Sequence, residues 1–199
     1  MPKKGRKGAS VRGGRLRFSH IVALIPAVVF IGLIVFLFLQ PAAQPPITKI
    51  TSSNEGGEAP DFVLRRITPN GLSDETFILS STRGRVVFLD FAWWRCPHCN
   101  NMEPVIRDLY SEFSSRGVVF VTVLLDDRQS SISDSARFVA QHEIPWTALW
   151  DEGGRVFDRY GVTGTPTYVI INEEGRIVRV LTGEQPKQVL ADILSSVLR

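Results

Sequence analysis

The chain has 199 residues, a net charge of +3 and only two cysteines. Residues 1–17 contain seven Lys or Arg and no acid, so subtracting these seven charges leaves a net charge of −4 for the rest of the chain. Such a chain has no polyanion-binding signature, and no nucleic-acid partner is expected. Two cysteines exclude a four-cysteine zinc site, and His20 and His142 lack the spacing of a mixed site.

The basic N-terminus is followed by residues 21–39, in which nineteen consecutive residues carry no charge. This length suits a bilayer-spanning helix of about 20 residues. A cleaved signal peptide is the alternative, but its apolar region is shorter and Pro41-Ala42-Ala43 is a poor cleavage site. Because basic residues stay on the cytoplasmic side, we expect a cytoplasmic tail over 1–20 and a single-pass membrane helix over 21–39. The domain that follows is then extracytoplasmic.

Residues 40–59 are rich in proline, glycine, serine and threonine, which is typical of a flexible linker. The remaining residues, 60–199, are enough for one hydrophobic core and too few for two ordinary domains. Apolar runs and turn residues predict the elements of this domain. The expected strands are 62–64, 77–79, 86–91, 118–125, 146–150, 167–172 and 176–181. One helix is expected to begin at the cysteines and to end at Gly117. Further helices are expected at 133–142, 155–160 and 186–198. This order predicts an α/β fold with a mixed central sheet and helices on both faces.

Both cysteines lie in one motif, Cys96-Pro97-His98-Cys99, between a buried strand and an amphipathic helix. A structural disulfide is a poor interpretation, because closing a loop of about four residues constrains the unfolded chain little. Two inert core cysteines would lie in an apolar run, whereas Pro97 and His98 indicate a turn into a helix. The motif therefore predicts a redox-active dithiol. The helix N-terminus favours a thiolate at Cys96, the attacking residue, and Cys99 is more covered and resolves the mixed disulfide.

Two further side chains are candidates for the chemistry. His98 would favour the Cys96 thiolate and make the disulfide more oxidising; alternatively, it only caps the helix in solvent. Asp90 is a lone carboxylate in an apolar strand, six positions before Cys96. Burial would raise its pKa and allow it to exchange a proton with the resolving thiol. The alternative is an aspartate at a strand end that points to water.

Several motifs support a resemblance to a known family: Glu-Ala-Pro-Asp-Phe-Val-Leu at 58–64, the CxxC motif, Pro104, and the pair Thr165-Pro166. With these motifs the chain resembles the thioredoxin superfamily, and within it the membrane-anchored TlpA/ResA-like proteins related to the AhpC/TSA redoxins. The resemblance implies a three-layer thioredoxin-like fold and a cis bond before Pro166. It also implies a client-binding loop at Thr165 and Pro166 that faces the cysteines.

The same resemblance implies the partners. These are protein thiols and disulfides, a membrane electron donor or acceptor and, for a reductase of cytochrome c maturation, an apocytochrome c. A monomer is expected, with no bound cofactor beyond the Cys96–Cys99 disulfide. Trp94 and Pro97, beside the cysteines, are expected to line the client site, although large residues here also serve to pack and shield.

The sequence departs from the family pattern at several positions. TlpA and ResA relatives usually have a glutamate three residues after the second cysteine, where this chain has Met102, followed by Glu103. The family's acid–base carboxylate therefore cannot be transferred directly. Asp90 occupies the place of the buried aspartate of ordinary thioredoxins, and the Pro-His dipeptide is that of DsbA oxidases. The direction of electron flow stays open between oxidase and reductase.

Two other functions are alternatives. A peroxiredoxin-like peroxidase shares the opening motif, but it needs a PxxxTxxC context that residues 91–96 do not supply. A non-enzymatic chaperone for metal or haem proteins would use the two thiols as ligands.

Overall fold

The computed structural model describes residues 30–31, 55–127 and 130–198. Within the second and third ranges the strands are β1 (Val63–Thr68), β2 (Gly71–Ile78), β3 (Val87–Ala92), β4 (Val119–Asp126), β5 (Thr147–Glu152), β6 (Thr167–Ile171) and β7 (Ile177–Thr182). The helices are α1 (Pro97–Phe113), α2 (Ile132–Gln141), α3 (Arg155–Arg159) and α4 (Lys187–Val197). Short 3-10 turns occupy Leu79–Thr82 and Ser114–Arg116.

None of the helices in the described ranges is long and apolar enough to cross a membrane. The predicted membrane helix over 21–39 lies outside these ranges except for residues 30 and 31.

The seven strands form one mixed sheet in the order β2-β1-β5-β4-β3-β6-β7. The central strands are parallel: β3 pairs with β4, and β4 pairs with β5. The flanking pairs, including β3 with β6 and β6 with β7, are antiparallel. Strand β3 is therefore paired on both sides and buried along its whole length, as its apolar sequence predicts.

Alternation along β3 divides the core between the two faces of the sheet. Val87, Leu89 and Phe91 pack on one face in a cluster that includes Val156 and Phe157 of α3. Phe88 packs on the other face with residues of α1 and α4. Asp90 has the same parity as Phe88 and so lies on the α1 face.

Helix α2 packs on the α1 face as well, where Phe138 and Val139 lie in one cluster with both cysteines. Right-handed crossovers between adjacent parallel strands place the β3–β4 and β4–β5 helices on the same face. The sheet thus has helices on both faces, as predicted.

Strands β1 and β2 are longer than the edge strands expected at 62–64 and 77–79, and they form a hairpin that turns at Gly71. Gly71 has a φ of +111°, which favours glycine. The extra residues are mostly polar, and cross-strand ion pairs join Arg65 to Asp74 and Arg66 to Glu75. Because one edge of this hairpin is open to solvent, its strands do not need the apolar runs on which the prediction relied.

The last residues of the predicted linker belong to the folded domain. Gly56 donates its N–H to the carbonyl of Ile177 at 2.7 Å, and Ile177 donates to the carbonyl of Gly57 at 2.9 Å. Ala59 donates to the carbonyl of Gly175. Residues 55–59 thus add backbone pairing beside β7, and the domain begins before residue 60. The rest of the predicted linker lies outside the described residues.

Candidate active site

The first cysteine lies where β3 gives way to α1, as the sequence predicts. Cys96 is the N-cap of α1, with extended backbone angles, and Pro97 follows at the first helical position. Proline suits this position because its missing N–H would have no partner inside the helix. The Cys96 N–H bonds the carbonyl of Trp93 at 2.9 Å, which closes the turn.

The Cys96 sulfur is bonded from two directions. It accepts the backbone N–H of Cys99 at 3.1 Å, and its thiol donates to the carbonyl of Thr165 at 3.3 Å. The first bond uses a free N–H of the helix terminus, which is the group that stabilises a negative sulfur there. Both cysteines are free thiols in this structure.

Cys96 is more covered than expected. It is 5% exposed, hardly more than Cys99 at 2%. The half-buried rings of Trp93 and Trp94 pack with the cysteines in one cluster, and the Thr165 loop contacts the sulfur from another side. Cys96 therefore exposes only a small part of its surface to solvent. Pro97 is exposed at the surface of the site.

The predicted client-binding loop faces the cysteine. The Thr165–Pro166 peptide bond is cis, and the Thr165 carbonyl bonds the Cys96 sulfur. Gly183, in the connection between β7 and α4, donates its N–H to the carbonyl of Pro166 at 2.8 Å. The proline loop and the Gly183 connection thus lie side by side next to the N-terminus of α1.

Asp90 lies inside the protein, 1% exposed, so the alternative of an aspartate that points to water is wrong. Its Oδ2 accepts the hydroxyl of Thr122 at 3.1 Å, and among the described residues its Oδ1 has no hydrogen-bond partner. Burial raises the pKa of Asp90 to about 7, an effect that the Thr122 bond partly opposes. A carboxyl with this pKa can take up or release a proton near neutral pH.

Glu103 is a second buried carboxyl that the sequence reasoning did not assign. It is 2% exposed, and neither carboxylate oxygen has a hydrogen-bond partner in the described part of the chain. Burial, and then the charge of Asp90, raise the pKa of Glu103 to about 9. Its position could have been found from helical spacing, because Cys99, Met102, Glu103 and Ile106 recur at intervals of three and four on the buried face of α1.

Asp90, Glu103 and Cys99 form one electrostatic cluster beneath the motif. Burial raises the pKa of Cys99, and the charge of Asp90 raises it further. The Tyr168 hydroxyl, which has no partner among the described residues, belongs to the same cluster: the charges of Asp90, Cys99 and Glu103 add to the effect of burial in raising its pKa. Two neighbouring carboxyls in such a place cannot both be ionised at low cost, so this pair retains at least one proton at neutral pH.

His98 lies at the surface, with its side chain 67% exposed, but it is not free in solvent. Its Nδ1 lies 2.7 Å from Oε1 of Glu184, in the connection between β7 and α4. The same carboxylate oxygen accepts Nδ2 of Asn101 at 2.8 Å. His98 is thus bonded across the site to the segment next to the proline loop, an arrangement that neither sequence interpretation of this residue included.

The two tryptophans before the motif are held by one hydroxyl. The indole N–H groups of Trp93 and Trp94 each donate to Oγ of Ser130 at 3.1 Å. Ser130 in turn donates to Asp127 at 2.7 Å. The Arg95 guanidinium lies 5.9 and 5.4 Å from the centroids of the two indoles, within cation–π range. This arrangement fixes the wall of the site formed by the residues before Cys96.

Comparison with known proteins agrees with this geometry. Residues 56–180 match the model of the AhpC/TSA family. The chain is 31% identical over 144 residues to the thiol-disulfide oxidoreductase ResA of Bacillus subtilis, an alignment that covers 72% of this chain and 76% of that protein. It is 27% identical to ResA of Bacillus thuringiensis subsp. konkukian over 94% of this chain and 99% of that protein.

A solved structure from Chlorobium tepidum, assigned as a thiol:disulfide interchange protein DsbE, superposes with a TM-score of 0.66 at 28% identity. The match covers 73% of this chain and 98% of that one. The fold is therefore thioredoxin-like, as the motifs implied. With its CxxC pair at the end of β3, the chain belongs to the AhpC/TSA family and is a thiol-disulfide oxidoreductase of the ResA/DsbE type.

Proposed function

We propose that this oxidoreductase exchanges disulfides with protein clients outside the cytoplasm, while an N-terminal helix tethers it to the membrane. The observation that carries the chemistry is the position of the Cys96 sulfur. It accepts a free N–H at the start of α1 and contacts the proline loop, while two buried carboxyls lie beneath Cys99. The tether rests on the uncharged segment 21–39 and the basic residues before it.

In the reducing direction, the Cys96 thiolate attacks a client disulfide. A bond forms between Cys96 and one client sulfur, and the second client sulfur leaves and takes up a proton. Cys99 then loses its proton and attacks the Cys96 sulfur, which forms the Cys96–Cys99 disulfide and releases the client as a dithiol. A membrane dithiol donor returns the two electrons. The oxidising direction is the reverse of these steps, with a membrane acceptor in place of the donor.

The proton of Cys99 needs a nearby acceptor, because burial holds this thiol in its neutral form. Asp90 is the proposed acceptor, since its pKa of about 7 allows it to be ionised at neutral pH. Glu103, with a pKa of about 9, is mostly protonated then and stabilises the ionised Asp90 by remaining neutral. Asp90 thus takes the proton of the resolving step, and Glu103 assists it while remaining neutral.

The cysteines are tested by single substitutions in the full chain. Cys96→Ser should abolish both insulin reduction and thiol oxidation. Cys99→Ser should accumulate mixed disulfides, which non-reducing electrophoresis detects, because no second thiol can release the client. Full activity in the Cys96→Ser variant would contradict the proposal. A synthetic CxxCH peptide in the Cys99→Ser trap tests an apocytochrome c segment as the client.

The reduction potential of the Cys96–Cys99 couple assigns the direction of electron flow. A value near about −120 mV corresponds to an oxidase such as DsbA, and a value near about −270 mV to a reductase such as thioredoxin. Equilibration with glutathione or dithiothreitol buffers measures it.

A further inference from the structure

The Pro-His dipeptide and its surroundings have opposite effects on the Cys96 sulfur. An imidazole two residues after Cys96 can donate a hydrogen bond to a thiolate and so make the disulfide more oxidising. In this structure, however, Nδ1 of His98 contacts a carboxylate and not the Cys96 sulfur. Nδ1 lies 2.7 Å from Glu184, a residue of a different part of the chain.

The protonation of this contact follows from its chemistry. The pKa of Glu184 is held below its ordinary range by the hydrogen bonds from Asn101 and His98. An ionised carboxylate can only accept hydrogen bonds, so His98 Nδ1 carries the proton that joins the two side chains. Asn101 donates to the same oxygen and fixes its position from the first turns of α1.

The backbone holds Glu184 in place from the other side. The preceding residue, Gly183, donates to the carbonyl of Pro166, and the neighbouring Thr165 carbonyl accepts the Cys96 thiol. Glu184 is thus connected to the site through two routes, the His98–Asn101 turn and the proline loop. This is more constraint than an exposed ion pair usually has.

We propose that Glu184 is a positioning residue that holds the Nδ1 proton of His98 and keeps it from the Cys96 sulfur. The disulfide is then a weaker oxidant than the Pro-His dipeptide alone would make it. This inference rests on the proposed exchange chemistry at Cys96. It means that Glu184, far along the chain from the motif, helps to set the reduction potential of the Cys96–Cys99 couple.

The test is the equilibrium constant for oxidation of the full chain by glutathione disulfide. In Glu184→Ala, His98 is released and stabilises the thiolate, so this constant should fall about threefold, which is roughly 14 mV at 29.6 mV per tenfold change. Glu184→Gln keeps an acceptor for Nδ1 and should cause a smaller fall than Glu184→Ala. Thermal unfolding of each variant verifies that the fold is retained.

A double-mutant cycle separates positioning from a direct field effect. In a His98→Ala background, Glu184→Ala should change the constant by less than about 1.5-fold, because there is no imidazole to release. Asp108→Asn is the matched control, since Asp108 is another exposed partner in an ion pair of α1, with Lys187 of α4 at 3.6 Å. This control should leave the constant unchanged.

Three results would overturn the inference: no change in Glu184→Ala, the same change with and without His98, or an equal change in Asp108→Asn. If the wild-type chain exchanges disulfides with glutathione through Cys96, these results contradict the role of Glu184 but not the proposed exchange chemistry. A wild-type chain that does not exchange would overturn the proposed chemistry together with this inference.

Discussion

At the scale of single residues, the site is defined by two carboxyls that enter the same space from different elements. Asp90 comes from the buried strand β3 and Glu103 from the buried face of α1. Three of their four oxygens have no hydrogen-bond partner within the described ranges. Such groups destabilise a fold when they ionise, and their position beneath a CxxC motif supports the proposed proton transfer.

The stability of the reduced protein should fall as the pH rises. The folded-state pKa values, about 7 for Asp90 and about 9 for Glu103, lie above the ordinary values of 3.8 and 4.5. The folded chain therefore binds more protons than the unfolded chain between these limits, and raising the pH favours unfolding. Each carboxyl contributes up to about 1.4 kcal/mol per pH unit to the decline.

Urea unfolding between pH 5 and 9 measures this decline. Glu103→Gln should flatten it and should be more stable than the wild type at pH 8. Glu112→Gln changes an exposed glutamate of the same helix and should leave the slope unchanged. Equal slopes in the wild type and Glu103→Gln would show that Glu103 is not the titrating group.

The two carboxyls should differ in their effect on the resolving step. Asp90→Asn should slow the release of a preformed mixed disulfide about 100-fold, at the lower end of the usual range of general acid–base catalysis. Glu103→Gln keeps the neutral form of this side chain and should slow release by less than about threefold. Stopped-flow release of a fluorescent client measures this rate. Unchanged release in Asp90→Asn would mean that solvent takes the Cys99 proton directly.

The reactive residues were predictable from the sequence to different extents. Cys96, Cys99 and Asp90 stand out as the only thiols and as a lone charge in an apolar strand. Glu103 also lies on a recognisable apolar face, but its closeness to Asp90 depends on how α1 packs on the sheet. Glu184 is 86 residues from its partner His98, and no local pattern relates the two.

At the scale of secondary-structure elements, α2 packs against the two cysteines of the site. Its N-terminus has a capping box, in which the Ser131 side chain accepts the N–H of Asp134 and the Asp134 side chain accepts the N–H of Ser131. The helix buries Phe138 and Val139 in the cluster that contains the cysteines. The loop before it carries Ser130, which holds both tryptophans.

Removing this cap should destabilise the domain without changing its chemistry. Ser131→Ala should lower the free energy of unfolding by about 1 kcal/mol, the usual contribution of a serine cap. Ser133→Ala, at an exposed position of the same helix, should change it by less than about 0.5 kcal/mol. Denaturant unfolding compares the two variants, and equal effects would mean that the cap contributes nothing.

Elements with a strong apolar pattern were predicted well, and polar edge elements were not. The bounds of β3, β4 and α4 differ from the expected ranges by one residue at each end. The β1–β2 hairpin is held by backbone pairing and exposed ion pairs, so hydropathy revealed only its ends. The pairing of residues 55–59 with the β6–β7 hairpin depends on the tertiary fold, and the composition of this segment resembles a linker.

At the scale of the whole molecule, alternation of strands and helices was enough to predict the layered α/β architecture. The order of the strands in the sheet was not predicted from the pattern itself, because hydropathy does not encode which strands are neighbours. The proposed tether was likewise inferred from charge and length alone. Since the chain has no cysteine other than Cys96 and Cys99, these two thiols can report the membrane side of the domain.

An impermeant maleimide should label the reduced full chain in intact spheroplasts, because the proposed topology places Cys96 outside the cytoplasm. The Cys96→Ser/Cys99→Ser variant is the control and should stay unlabelled. The protein should also remain in the membrane pellet after carbonate extraction. Labelling only after lysis would place the domain in the cytoplasm and contradict the topology.

The hydrogen bond from the Cys96 thiol to the Thr165 carbonyl links the state of the sulfur to the reception of clients. While the sulfur carries its proton, it occupies a backbone acceptor on the loop where a client chain would pair. A thiolate or a disulfide has no proton to donate, so either form releases this acceptor. If this loop binds the client as proposed, its Thr165 carbonyl therefore makes one fewer internal hydrogen bond in the two reactive forms of the sulfur than in the protonated thiol.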